Sequence, residues 1–321
     1  MPTTVYFATN RVVKEPADQI SSYTFDIVTP DDPQQVTYGT AFVESSNLTA
    51  DTVGAIRSIQ DLKMGSFSDE AADDLANGGR NILVFIHGFA NSFENAITRA
   101  AFNREWFAQS NVAAADTTVI AFSWPSRGEV IVPPFPSYSY RWDQNTAGQS
   151  GLHLMHFFAN IERILAAAHD KGLRTFLLAH SMGNWALQSA VQSWFAAGNG
   201  DASLFDEALL AAPDEVHNSF DFPPPGRLSE LDRLARRISI YYSHADEVLD
   251  LSHLLNASRR LGQDGPDGRA NIARFPSATY RMVDCTGFTD YKRDFQATHQ
   301  YYRRSAGVRT DLVNAMAAGV G

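Results

Sequence analysis

The residues best suited to chemistry lie at 175–185, TFLLAHSMGNW, where an apolar run leads into Ala179-His180-Ser181-Met182-Gly183. A serine at a tight strand-to-helix turn needs small residues two positions away on either side, because the backbone there crowds its neighbours. Ala179 and Gly183 meet that need, with Ala standing where the usual pattern has Gly. The turn lifts the Ser181 hydroxyl to a helix N-terminus, where unpaired amides favour developing negative charge. The predicted chemistry is nucleophilic attack on a carbonyl carbon, with the Met182 amide as one donor to the oxyanion that results.

A second oxyanion donor is expected after an earlier strand. Residues 82–90 read ILVFIHGFA, a strand running straight into His87-Gly88. Gly88 permits a sharp turn, which aims the Phe89 amide at the same point. A serine hydroxyl also needs a base, and the base needs an orienting carboxylate. Nine histidines compete. His87 belongs to the oxyanion loop and His180 abuts the nucleophile, while His153, His156 and His169 fall in or just after an upstream helix. The partners of such a serine follow it in the order acid, then His after the last strand. Of His217, His244, His253 and His299, only His299 lies beyond the last predicted strand, so it is the predicted base. Asp246, in the short polar turn after the strand at 238–242, is the first choice for the acid. Asp214, after the preceding strand in Ala-Ala-Pro-Asp, is the alternative, and helix N-capping is the structural role open to either.

With these residues assembled, the chain resembles the α/β-hydrolase superfamily. Within it the sequence is similar to a poorly characterised bacterial esterase/lipase-like family, alpha/beta hydrolases of unknown function. The blocks that carry the likeness are ATNR at 8–11, IHGF at 86–89, FSWP at 122–125, AHSMGN at 179–184, AAPD at 211–214 and the late His-x-Tyr-Tyr at 299–302. They span nearly the whole chain in order. The resemblance implies an α/β-hydrolase fold and a Ser/Asp/His triad, and it implies no particular substrate. A serine at 181, where related epoxide hydrolases and dehalogenases carry aspartate, points away from their chemistry.

The elements that must hold these residues follow the same logic. From residue 80 onward, aliphatic runs alternate with longer helical patterns, the mark of βαβ units. Strands are predicted at 81–86, 118–123, 175–179, 207–211, 238–242 and 279–284, after earlier ones at 5–8 and 36–43. The last of these alternates polar and apolar residues as a half-exposed antiparallel edge would. Helices are predicted at 91–109, opened by a capping box of Asn91 and Glu94, and at 147–169, 184–197, 248–258 and 310–318. The expected architecture is a doubly wound, mostly parallel sheet of about eight strands with N-terminal antiparallel strands and a minimal lid. One domain over 1–321 is expected, with residues 1–80 supplying the N-terminal strands. Two Pro-rich, aromatic segments at 124–142 and 213–228 read as lid-like loops, carrying Pro133, Pro134 and Pro136 in one and Pro223, Pro224 and Pro225 in the other. Trp124, Phe135, Tyr138, Tyr140, Trp142 and Phe222 are candidate substrate-binding residues on them.

Composition narrows the function further. Cys285 is the only cysteine of 321 residues, which excludes a disulfide framework and a multi-thiolate metal site. The net charge of −10 argues against phosphate-backbone binding. The pairs Arg236/Arg237, Arg259/Arg260 and Arg303/Arg304 read as solvated faces or ion pairs. No apolar run approaches membrane-spanning length and residues 1–10 lack a secretory pattern, so a cytoplasmic protein without stable membrane insertion is expected. The reading is a carboxylic-ester hydrolase acting on a small-molecule ester, with no metal, cofactor or nucleic acid. A thioesterase, amidase or acyltransferase would use the same triad, and a non-catalytic binding protein on the same fold would lack a member of it.

Overall fold

A computed structural model describes residues 2–29, 32, 35–45, 47–127, 137–224 and 226–318. Pro133, Pro134, Phe135, Pro136 and Pro225 lie outside the described residues. The elements run β1 Thr3–Thr9, β2 Arg11–Val13, β3 Tyr23–Ile27, β4 Thr37–Val43, β5 Ile56–Met64, α1 Asp69–Asn77, β6 Asn81–Ile86 and α2 Phe93–Ala108. They continue with β7 Thr117–Ser123, α3 Ser137–Gln149, α4 Gly151–Asp170, β8 Thr175–His180, α5 Gly183–Ala196 and β9 Glu207–Ala211. The last group is β10 Ile238–Tyr242, α6 Glu247–Asn256, α7 Leu261–Asp264, β11 Tyr280–Asp284 and α8 Ala306–Ala317.

Nine strands form one sheet in the order β11-β10-β9-β8-β6-β7-β1-β4-β5. From β11 to β1 every neighbouring pair is parallel, and β4 and β5 extend the sheet antiparallel. Such a sheet needs cover on both faces. Along β6, Ile82, Val84 and Ile86 face a layer with Leu75 of α1, Phe157 of α4 and Leu187 of α5, whereas Leu83 and Phe85 face Ile97 of α2 and Leu312 of α8. The period of two divides one strand between two cores. The chain passes from β6 to β7 on one side and returns to β8 on the other, so the crevice beyond the carboxyl ends of β6 and β8 is a switch point, the usual ligand site of an open α/β sheet.

Several expectations are corrected. The strand at 36–43 is an inner strand, β4, almost wholly buried; the edge is β5, whose IRSIQDLKM sequence is exposed at most positions. The helix at 91–109 is capped by Ser92, whose side chain accepts from the Asn95 amide, because the Asn91 side chain is occupied elsewhere. The helix at 147–169 is two helices, α3 and α4, meeting where the Ser150 hydroxyl donates to the Thr146 carbonyl, a back-bond that disturbs the helix ladder. Tyr138, Tyr140 and Trp142 therefore ride on a helix and not on a lid loop. Gly172, in a left-handed conformation, follows the C-cap Lys171 and turns the chain out of α4.

Candidate active site

Ser181 follows β8 with φ of +53°, a left-handed conformation that a non-glycine residue adopts only when its surroundings enforce it. The enforcement is visible. The Ser181 amide donates to the Ala211 carbonyl, and the Ser181 carbonyl accepts from the amides of Asn184 and Asp214. The Asn184 side-chain amide spans the turn, donating to Ala179 O and Ser181 O at 3.0 and 3.1 Å. Gly183 is required by contact: a Cβ there would lie 2.6 Å from His87 O and 2.7 Å from Ile86 O.

The loop after β6 presses against this turn, since a Cβ on Gly88 would fall 2.7 Å from the Ser181 Cβ. Asn91 shapes the loop by donating to the carbonyls of Gly88 and Phe89, both at 2.8 Å. Among the described residues the amides of Phe89 and Met182 have no protein acceptor. His87 is buried behind the loop, donates Nδ1 to Gly88 O and stacks on Trp124, with burial and the charge of Arg11 pushing it down to about 3. It is a neutral ring and not a base. Arg11 braces the whole assembly from the N-terminal segment. Fully buried, it donates to Ser123 Oγ and to the carbonyls of Thr24, Asn91, Trp124 and Ser126.

His299 sits in a short 3-10 turn after β11, and its Nδ1 donates to Asp246 Oδ2 at 2.7 Å. Asp246 divides its oxygens: Oδ1 accepts from the Leu249 amide and caps α6, and Oδ2 holds the imidazole. Burial raises the Asp246 carboxyl above its ordinary value, against the opposing pull of His299. Asp214 is engaged differently. Its Oδ1 accepts from Arg260 Nε at 2.9 Å and from Ser252 Oγ, and its Oδ2 accepts from the Tyr140 hydroxyl at 2.8 Å.

Ser181 and His299 line one cavity of about 100 Å³ with Phe89, Arg99, Tyr140 and Leu251 among its walls. Of the aromatic residues expected there, Tyr140 is present. Trp124 is fully buried behind it, giving Nε1 to His87 O. Tyr138 and Trp142 are on the outer face of α3 beside Arg127. Phe222 belongs to a separate depression with Trp185 and Arg227, because Arg227 stacks on both rings. Among the described residues, no group of three or more His, Cys, Asp or Glu side chains is arranged to hold a metal ion.

A family model described as alpha/beta hydrolase of unknown function matches residues 64–315. The chain belongs to that family. No curated protein matches it. As an alpha/beta hydrolase the protein has the mostly parallel sheet and the serine turn at the switch point, and no helix among its described residues is long and apolar enough to cross a membrane. Sequence reasoning passed over Arg11, Asn184 and Arg99 in this hydrolase. The first two stand in blocks ATNR and AHSMGN, where their positions were legible and their bonds were not.

Proposed function

We propose that the protein is a serine hydrolase cleaving carboxylic esters, with Ser181 as nucleophile, His299 as base and Asp246 as the orienting acid. The observation that carries the reading is the 2.7 Å bond from His299 Nδ1 to Asp246 Oδ2, in an imidazole that shares a cavity with Ser181. The bond fixes the proton on Nδ1 and leaves Nε2 as the acceptor. Ser181 Oγ attacks the ester carbonyl as its proton passes to Nε2, and the amides of Phe89 and Met182 receive the oxyanion. The tetrahedral adduct collapses by breaking the bond to the alcohol oxygen, which takes the proton from Nε2. Water then attacks the acyl-serine, giving one proton to Nε2, and collapse releases the acid and returns that proton to Ser181. A cavity of about 100 Å³ is smaller than the roughly 150 Å³ that accommodates benzene, which supports short acyl groups.

A fluorophosphonate probe on the wild type and Ser181→Ala, followed by esters of increasing acyl length, tests the reading. Labelling and hydrolysis are expected in the wild type alone, fastest with short chains. A folded wild type that neither labels nor cleaves esters overturns it.

A further inference from the structure

The cavity holds a charge that the hydrolytic steps do not use. Arg99, on α2, lines it with Ser181 and His299. Among the described residues no carboxylate lies within ion-pair distance of Arg99 and its guanidinium makes no hydrogen bond, and its electrostatic neighbours include the Tyr302 hydroxyl and the like-charged Arg304. The groups behind it are also short of partners. Arg303 is 3% exposed, gives Nη2 to Gln300 Oε1 and has no acceptor for Nε among the described residues. The Tyr302 hydroxyl is buried without a partner among the described residues. Burial first, and then the charge of Arg99, push Arg303 down to about 9, against the weaker opposing pull of Asp51. The expectation of solvated faces or ion pairs holds for Arg304, which meets Asp51, and fails for Arg303, which is buried and forms no ion pair among the described residues.

Charge buried without a counter-ion costs several kcal/mol and is retained where a ligand supplies the opposite charge. The neighbouring acids cannot supply it here. Asp214 is held by Arg260, Asp246 by His299 and Asp51 by Arg304. A guanidinium is suited to two-point recognition of carboxylate or phosphate oxygens. On a chain of net charge −10, a guanidinium on the cavity wall whose acid neighbours are already paired is a feature of that cavity and not of the surface at large.

We propose that the substrate is an ester carrying an anionic group, a carboxylate or a phosphate, which Arg99 binds with Arg303 behind it. The identity of the bond cleaved rests on the serine-hydrolase reading, and the recognition of the anion does not. The anionic group keeps its charge throughout, and hydrolysis consumes one water to give a carboxylic acid and an alcohol.

Binding is tested first, on the Ser181→Ala protein, by titrating glutarate and, separately, inorganic phosphate while following the melting temperature. At least one is expected to raise it, and adding Arg99→Gln is expected to weaken that binding about tenfold or more. Equal shifts with and without Arg99→Gln, or none with either anion, overturn the proposal. Turnover is then compared between mono-para-nitrophenyl glutarate and para-nitrophenyl pentanoate, and between butyryl esters of glycerol phosphate and of glycerol. The pair with the larger charged-to-neutral ratio of kcat/KM identifies carboxylate or phosphate. That ratio is expected to exceed about ten in the wild type and to fall about tenfold in Arg99→Gln, with partial recovery in Arg99→Lys. A ratio below one, or one insensitive to Arg99, overturns it. Should Arg99→Gln fail to fold, the wild-type ratio is expected to fall between about 20 mM and about 500 mM salt, and a salt-independent ratio overturns the proposal. If no ester is cleaved and no probe bound, the hydrolase reading fails while the titration still decides the anion.

Discussion

His180 Nε2 donates to the carbonyl oxygen of His299 at 3.2 Å. The residue just before the proposed nucleophile thus grips the backbone of the proposed base, and its ring packs on both His299 and Tyr302 at centroid distances of 4.9 and 4.6 Å. Burial and the nearby charges hold His180 well below the usual histidine range, so it serves as a neutral donor. His180→Ala is expected to lower kcat about 10- to 100-fold through misplacement of the imidazole, with a smaller change in KM. His180→Gln, which keeps a donor at similar reach, is expected to recover part of the loss. Steady-state kinetics on short esters checks both.

The two acids separate by readout. Asp246→Asn is expected to reduce kcat/KM about 10³- to 10⁴-fold with little loss of stability, since the amide leaves the imidazole in the wrong tautomer. Asp214→Asn strands Arg260, which is fully buried, and is expected to cost about 3 kcal/mol of unfolding free energy. Urea unfolding and ester kinetics on both variants check this, and the opposite ranking of activities assigns the acid to Asp214.

Gly183→Ala would push the serine turn away from the β6 loop, because the Cβ meets backbone carbonyls that no rotamer change can move. Widening the gap between the Phe89 and Met182 amides is expected to lower kcat about 100-fold, the scale of losing one oxyanion donor. The rate of fluorophosphonate labelling at Ser181 is expected to fall in parallel.

Glu215 sets a pH dependence of stability. Burial raises its carboxyl to about 7, against the pull of Arg227 at 3.1 Å. The folded chain therefore keeps a proton that the unfolded chain releases near 4.5. Its contribution is full below that value and is lost as pH rises through about 7, on the order of 3 kcal/mol in total. Urea unfolding across this range is expected to show a flatter profile for Glu215→Gln than for the wild type.

The parallel strands were legible because each is a short aliphatic run that must be buried on both faces. Strands β6, β9 and β10 lie where those runs lie. Strand β5 was not legible, since an exposed edge with mixed polar residues has no periodic signature. Helix α3 was hidden for a related reason: SYSYRWDQNTAGQ has no regular apolar stripe and follows prolines. At the site, chain order pointed to Ser181, His299 and Asp246, the last two now joined by a hydrogen bond. Charge partners were beyond reach. Nothing in the sequence distinguishes Arg260, paired with Asp214, from Arg99, which meets no acid among the described residues.

The brace formed by Arg11 bears on how the chain can be dissected. The family match opens at residue 64, after β1 and β4, yet β1 lies inside the sheet against β7, and Arg11 reaches the loops on which the serine turn rests. A fragment cut to the matched residues would retain Ser181, Asp246 and His299 while baring the edge of β7 and orphaning the carbonyls of Asn91 and Trp124. Truncation at that boundary is expected to give an aggregating polypeptide with every reactive group and no scaffold to aim them.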